Sequence, residues 1–420
     1  MKHIKALDCI ENVEHLTLSN TAFWPVIRVV LFKRGSPNSD SVSGGRHLLW
    51  FLYSNALILL FSVFYRLLSQ KSQFVAVASA DRINAEGEDI YLNIDGLNMG
   101  KLDILMRPSL FPQKIGPFHK FLARNRVRGL LITPFVYGVL LNLAYRNRLC
   151  RAICFEASLA KEIDTIRAFC VQHGIPNLDG EIFKFLAVKK WFSQKLRGYQ
   201  GVFFYCGYNV SNMALCASSR EEKVESIEIQ HGIYDPSGGT YHSFCGAAPR
   251  IACKVYAAKM LCFDNISYEY FSQKNSFLRH SQLSMMGFPI LRKINQSSLS
   301  TKAKVTPKNV LIIPPFKPTT SELKKIELSR REFLKKDEVS ISLRLHPTLW
   351  NNSSAQDVYK FLQIDFDFDD WECSILKYDT FIGYESNALL EAAALGKRVV
   401  LLDKETLLAK FLQPGLVDGH

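Results

Sequence analysis

The sequence predicts an α/β protein in which two Rossmann-like domains face a central cleft, with an N-terminal helical appendage. Three observations carry this. From Phe74 onward, short apolar runs alternate with amphipathic segments, the pattern of a parallel sheet covered on both faces. A polar stretch at 292–308, RKINQSSLSTKAKVTPK, breaks that alternation, and a fresh strand-like run follows it. The length, 420 residues, suffices for two or three domains that each bury a core.

Residues 1–73 form the appendage, broken by the turn-rich GSPNSDSVSGG at 35–45. The opening MKHIKALDCIENVEH places Asp8, Glu11 and Glu14 where a signal peptide needs an unbroken apolar region, so secretion is not expected. The longest uncharged apolar run, 48–65, has 18 residues, the lower length limit for a spanning helix, and contains Ser54, Asn55 and Ser62. It reads as membrane-associated more than spanning. The first Rossmann-like domain occupies 74–291, with strands expected at 74–80, 101–106, 201–206, 224–230 and 254–258. Helices are expected at 156–173 and 181–197, the latter with Phe183, Leu186, Ala187 and Trp191 on one stripe. After the 292–308 linker, the second domain, 309–420, has strands at 309–316, 339–345, 379–383 and 398–402, with helices at 321–336 and 386–395.

Apolar residues make up 48% of the chain and mean hydropathy is +0.01, which excludes intrinsic disorder. The ten cysteines include no CxxC pair, so zinc sites and disulfide frameworks lack their spacing and a reducing cytoplasm fits best. Net charge is +13, from 52 basic against 39 acidic residues, and it is unevenly spread. Between Asp103 and Glu156 lie nine Lys/Arg and no carboxylate, interleaved with Phe111, Phe118, Phe121, Phe135 and Tyr137. Nucleic-acid-binding patterns are absent, and the apolar run at 129–145 beside the arginines favours lipid. That run reads as a membrane-surface element or a buried helical hairpin. The expected partner is therefore an anionic membrane surface, not nucleic acid.

Phosphate loops of the GxGxxG and GxxxxGK[ST] kinds are absent, so the candidate chemistry lies in other motifs. Gln230-His231-Gly232 sits where the run 224–230 ends and a Gly/Pro-rich loop carrying Tyr234, Asp235, Tyr241 and His242 begins. In an open α/β sheet the ligand crevice lies at such strand ends, which makes His231 an acid/base candidate. The same tripeptide at Gln172-His173-Gly174 follows a helix and precedes Pro176, so there Gly174 reads as a helix cap. Arg344 and His346 alternate at another strand tip and suit a phosphate or diphosphate, the alternative being a strand-end ion pair. In GYESNALLEAAALGKRVVLL, Ser386 and Asn387 open a helix whose N-terminus suits an anion, and Glu391 can accept a ribose hydroxyl. Lys317 precedes Thr320 and Ser321 in a further phosphate candidate, in which simple capping by Thr320 or Ser321 is the plainer role. Asp95 belongs to an acidic cluster after the first strand, with Asp81 and Glu88. The run Asp365, Asp367, Asp369 and Asp370, interleaved with Phe and Trp371, reads as a surface strand or loop, not a metal site.

Together, QHG after one strand, RLHP after another and ESNALLEAAALGK near the end resemble the bacterial surface-polysaccharide glycosyltransferases of the GT-B type. LSNTAFWPVIRVVLF is similar to the leader of many capsule and O-antigen cluster proteins, ADRINAEGEDIYLNIDGL to the segment that follows, and Gly287-Phe288-Pro289 to an interdomain G-x-P. The His-Pro pair is similar to that of bacterial sialyltransferases and capsule Kdo transferases, a likeness that gives His346 the donor phosphate. The acidic tripeptide of those enzymes does not precede it, so UDP- and GDP-sugars stay open beside CMP-sugars. The resemblance implies a cytoplasmic glycosyltransferase, peripheral to the inner face of the plasma membrane, that acts on a lipid-linked or growing glycan. Arg344, His346, Ser386, Asn387, Glu391 and Lys317 would hold the nucleotide-sugar, and His231 with Asp235 or Asp95 would serve as acid/base. No metal and no cofactor beyond the nucleotide-sugar donor is expected. A polyol-phosphate transferase, a sugar-nucleotide epimerase and a non-catalytic assembly factor are the alternatives on the same scaffold.

Overall fold

The computed structural model describes residues 13–34, 45–79, 83, 89, 92, 102–107, 115–231, 252–263, 265–272, 278, 280–288, 309–315, 318–335, 339–346, 349–350, 353–384 and 386–403. The chain divides into two compact units, Met1–Met286 and Gly287–His420. The division falls a few residues ahead of the expected one, at Gly287, whose φ of +74° is open to glycine. The expected linker 292–308 lies outside the described residues.

In the first unit, β1 (Thr17–Leu18) and β2 (Thr21–Ala22) form a hairpin. Its two turn residues, Ser19 and Asn20, both have positive φ, as a tight hairpin of matching twist requires. Helix α1 (Trp24–Arg34) follows. Phe23, Trp24, Val26 and Ile27 are fully buried, and Phe23 meets Phe185 edge-on with ring centroids 5.4 Å apart. The Thr17 hydroxyl and the Ser19 amide both donate to the Glu162 carboxylate, at 2.8 and 2.7 Å. The segment 13–31 thus contributes to the unit's core, which corrects the expectation that the front section hangs outside it. Helix α2 (Gly45–Leu68) spans the long apolar run as one element. No helix among the described residues is long and apolar enough to cross a membrane.

The rest of the unit is β3 (Phe74–Ser79), β4 (Asp103–Arg107), α3 (Ile115–Arg124), β5 (Arg126–Leu130), α4 (Ile132–Arg146), α5 (Arg148–Cys154), α6 (Ala157–Gln172), α7 (Asp179–Leu196), β6 (Gly201–Tyr205), α8 (Val210–Glu221), β7 (Glu225–Ile229), β8 (Lys259–Cys262), α9 (Asn265–Phe271) and β9 (Leu283–Met285). The strands form one parallel sheet in the order β5-β4-β3-β6-β7-β8-β9. Period-two alternation splits the core: Val75 and Val77 pack with Phe192 and Phe204, whereas Ala76 and Ala78 pack with Ile104, Phe118 and Phe121. The apolar run 129–145 resolves into the end of β5 and then α4. The expected strand at 254–258 is a buried turn instead, with Val255 and Tyr256 fully enclosed; β8 begins at Lys259, opposite Ile227.

In the second unit come β10 (Asn309–Ile313), α10 (Thr320–Leu334), β11 (Ser340–Leu343), α11 (Ser353–Asp357), β12 (Asp365–Phe366), α12 (Trp371–Lys377), β13 (Thr380–Gly383), α13 (Asn387–Ala394) and β14 (Arg398–Leu401). They form a second parallel sheet, ordered β12-β11-β10-β13-β14, around Val310, Ile312, Ile326, Leu343 and Ile382.

Candidate functional site

In each sheet the strand order reverses once, and a parallel sheet opens a crevice at the carboxyl ends of the strands where it reverses. In the first unit this point lies between β3 and β6. β6 ends in a turn at Cys206, which takes φ +64°, a costly conformation for a residue with a side chain. Two asparagines hold that turn. Asn209 Nδ2 donates to the Cys206 carbonyl at 2.6 Å while its Oδ1 caps α8 by accepting from the Asn212 amide at 2.9 Å. Asn212, fully buried, donates through Nδ2 to the carbonyls of Tyr205 and Cys206 at 2.7 and 2.9 Å. The Gly207 amide donates to buried Glu228 on β7 at 2.6 Å.

His231 stands two residues beyond β7, half-buried. Its Nε2 is hydrogen-bonded to the Tyr208 hydroxyl at 3.1 Å, and its ring lies 5.5 Å from that of Tyr208 and 6.5 Å from that of Tyr205. Gln230 fixes the backbone beneath it: fully buried, it accepts from the Phe263 amide at 2.7 Å and donates to the Ser267 hydroxyl at 2.8 Å. An imidazole whose backbone and ring are both held in place is suited to moving a proton to or from a substrate hydroxyl. Arg107, at the end of β4, donates through Nη2 to Asn212 Oδ1 at 2.5 Å and lies 5.5 Å from the Tyr205 ring centroid. Tyr205, Tyr208, Asn212 and Arg107 escape motif reading because two distant segments, the end of β4 and the turn from β6 into α8, supply this edge. Tyr208, three residues past the end of β6 in YCGYN, was the visible signal. Asp235 and Asp95 lie outside the described residues.

In the second unit the reversal lies between β10 and β13. The strands approach so closely there that a Cβ on Gly383 would sit 2.2 Å from the Ile313 carbonyl oxygen. Helix α13 follows, with Ser386 as its cap, accepting from the Leu389 amide at 3.3 Å, and Asn387 as its first residue. The neighbouring α10 begins differently. Thr319, not Thr320 or Ser321, is its cap, and Glu322 reaches back to the Thr319 amide at 2.6 Å. A helix start that already carries its own carboxylate is a poor anion site, whereas α13 has the neutral Ser386 as its cap and no acidic residue in its first turn. Lys317 is outside the described residues.

Arg344 and His346 part company. β11 stops at Leu343, and Arg344 turns inward: Nη1 donates to Asp367 at 2.6 Å, to Ser374 Oγ at 2.9 Å and to the Asp369 carbonyl at 2.8 Å. Its guanidinium lies between the Trp350 and Trp371 rings, 5.0 and 5.4 Å from their centroids. The expectation that Arg344 offers its charge to a diphosphate is corrected: a buried carboxylate neutralises it. The acidic run that supplies Asp367 is also corrected from surface to interior at that residue. His346 is exposed. The Trp371 indole also donates to Glu391, so two expected ligands are joined by a residue the sequence did not single out. Burial pushes the Glu391 carboxyl up to about 7, against the stabilising indole N–H.

No protein-family model matches the chain, and no curated protein matches it in sequence. Among solved structures it is similar to the S. aureus MnaA structure with UDP, at 9% identity over 83% of each chain, with a TM-score of 0.47. A putative UDP-N-acetylglucosamine 2-epimerase from Listeria monocytogenes is similar at 8% identity, 83% of this chain and 84% of that one, TM-score 0.49. The wall teichoic acid polymerase TagF is similar at 11% identity, 86% of this chain and 79% of that one, TM-score 0.38.

Proposed function

We propose that the protein is a glycosyltransferase that moves a sugar from a nucleotide-sugar to a lipid-linked or growing surface polysaccharide, of the capsule, O-antigen or lipopolysaccharide kind. One observation carries this: each unit gathers its polar groups at the carboxyl edge of its own parallel sheet, beside the point where strand order reverses. In the first unit His231, with Tyr208, serves the acceptor hydroxyl. In the second, Ser386, Asn387 and the start of α13 hold the donor phosphates, with His346 and Glu391 as further contacts. Thermal shift against UDP, CMP, GDP and CDP tests it, since a ligand at about 100 times its Kd stabilises by about 2.7 kcal/mol. No shift with any of them rejects the enzyme in favour of an assembly factor. Recovery of label in an altered free nucleotide-sugar, not in glycan, identifies an epimerase.

Glu391 gives this unit a pH signature. Its folded-state pKa is raised, so the stabilisation is present at low pH and is lost as pH rises through about 7. Melting curves across that range should show the loss in the wild type and not in Glu391→Gln.

The place of work we propose is the inner face of the plasma membrane. Helix α2 is amphipathic in the reverse sense: Ser54, Asn55 and Ser62 are buried, while Leu52, Leu60, Val63, Phe64 and Leu67 are exposed, Leu67 by 78%. Residues 41–80 contain no carboxylate, and Arg66 anchors the helix end by donating to the Arg128 carbonyl at 2.9 and 2.7 Å. An exposed apolar stripe among cations suits one leaflet of anionic lipid, with the helix lying in the plane. The basic region 107–151 adds exposed Val139, Leu140 and Leu143 on α4. Co-sedimentation with vesicles should prefer anionic lipid and weaken in Leu60→Glu; indifference to both rejects the location.

A further inference from the structure

We propose that the first unit holds an oxyanion site at the carboxyl end of β4, in which the Arg107 guanidinium binds a phosphate group of a substrate. The substrate class rests on the nucleotide-sugar and lipid-linked acceptor reading above; the site itself rests on geometry.

Three other arginines are matched to carboxylates: Arg128 to Asp103 at 3.0 Å, Arg167 to Asp179 at 2.7 Å, Arg344 to Asp367 at 2.6 Å. Arg107 is held by a neutral amide, Asn212 Oδ1, at 2.5 Å. Asn212 cannot adapt, because its Nδ2 is committed to two backbone carbonyls and the whole residue is buried. The clamp therefore fixes the plane of the guanidinium and brings it no carboxylate among the described residues. Arg107 Nε is enclosed and has no hydrogen-bond partner among the described residues. An enclosed guanidinium N–H with no acceptor is costly unless an anion meets it, and the guanidinium fork matches a phosphate oxygen pair.

The surroundings agree in sign and place. Asn212 is in the first turn of α8, a twelve-residue helix, so the positive end of that helix lies beside the guanidinium. β4 borders β3, at the reversal of strand order. Tyr205 is shared: its ring centre is 5.5 Å from the Arg107 guanidinium and 6.5 Å from the His231 ring. A phosphate held by Arg107 is thus one aromatic ring away from the proposed acid/base, which positions a phosphate-bearing substrate for reaction there.

The test is calorimetric titration of inorganic pyrophosphate into the full chain. Arg107→Gln should weaken this binding about tenfold or more with an unchanged melting temperature. Arg107→Lys, which keeps the charge and loses the fork, should fall between the two. Ser386→Ala, in the other unit, should leave the Arg107-dependent component in place. Titration of UDP, CMP, GDP and CDP then separates the sources: parallel loss of nucleotide affinity in Arg107→Gln assigns the phosphate to the donor, and intact nucleotide affinity assigns it to the acceptor. Pyrophosphate binding that is absent in the wild type, or equal in wild type and folded Arg107→Gln, overturns the site. If Arg107→Gln does not fold, equal binding in Arg107→Lys overturns it. Pyrophosphate binding retained without any nucleotide binding leaves this site standing and rejects the donor reading alone.

Discussion

Gln-His-Gly occurs twice in the first unit, and the two copies have little in common beyond their letters. At 172–174 the tripeptide ends α6: Gln172 is exposed, Gly174 takes φ +62°, and the Ile175 amide returns to the Cys170 carbonyl at 2.7 Å. His173 stacks on Phe169 one turn back, ring centroids 4.4 Å apart. This is a helix stop of the Schellman kind, with the contact of Ile175 and Cys170 buried beneath it. At 230–231 the same residues leave a strand. Gln230 is wholly buried and ties the end of β7 to Phe263 after β8 and to Ser267 in α9, and His231 faces Tyr208 at the edge where the sheet opens. The difference shows that the preceding element, through its backbone geometry, decides whether an imidazole closes a helix or faces a crevice.

The largest contrast should be in turnover. Loss of an acid or base costs about 10² to 10⁴-fold, so His231→Ala should lose sugar transfer by that factor while His173→Ala keeps it. Equal activities in the two variants break the comparison, and a collapse of folding in His231→Ala reassigns that residue to the core. Stability should divide the glutamines. Gln230→Ala removes the buried amide that accepts from Phe263 and donates to Ser267, at a cost of about 1–3 kcal/mol in chemical denaturation, whereas Gln172→Ala should stay within about 0.5 kcal/mol. The smallest effect worth measuring is at the helix stop: Gly174→Ala forces a Cβ into left-handed backbone in open space and should cost about 1 kcal/mol, without change in turnover. A stabilised Gly174→Ala would show that the stop is not held in that conformation.

Legibility followed element type. Among the central parallel strands, β3 and β6 are continuous apolar runs and β7 alternates as ESIEI, and 74–80, 201–206 and 224–230 coincide with β3, β6 and β7 to within a residue at each end. Helix ends were readable where a cap marks them, as at Gly174 and Ser386. Failures fell where burial and hydrogen bonding diverge. In the run 254–258, Val255, Tyr256 and Ala257 are as buried as strand residues yet form a turn, with the Ala258 amide alone donating to β7, at the Ser226 carbonyl 2.9 Å away, and β12 is only the dipeptide Asp365–Phe366, defined by its pairing to β11. At the candidate sites, His231 and Ser386 were reachable because one segment carries both the element and the candidate residue.

Arg344 and Arg107 mark the boundary of what sequence determines. Both follow or end a parallel strand, and both carry the same charge. Local spacing determined that much, together with the α/β class, the two-unit division and the uneven basic charge. Which arginine is neutralised was decided by the tertiary structure alone: Asp367 arrives beside Arg344 from 23 positions further along the chain, and Asn212 reaches Arg107 from 105 positions away. A side chain's charge is a property of its own residue, but the group that compensates it is selected by how distant strands and helices pack, and no period in the sequence encodes that distance.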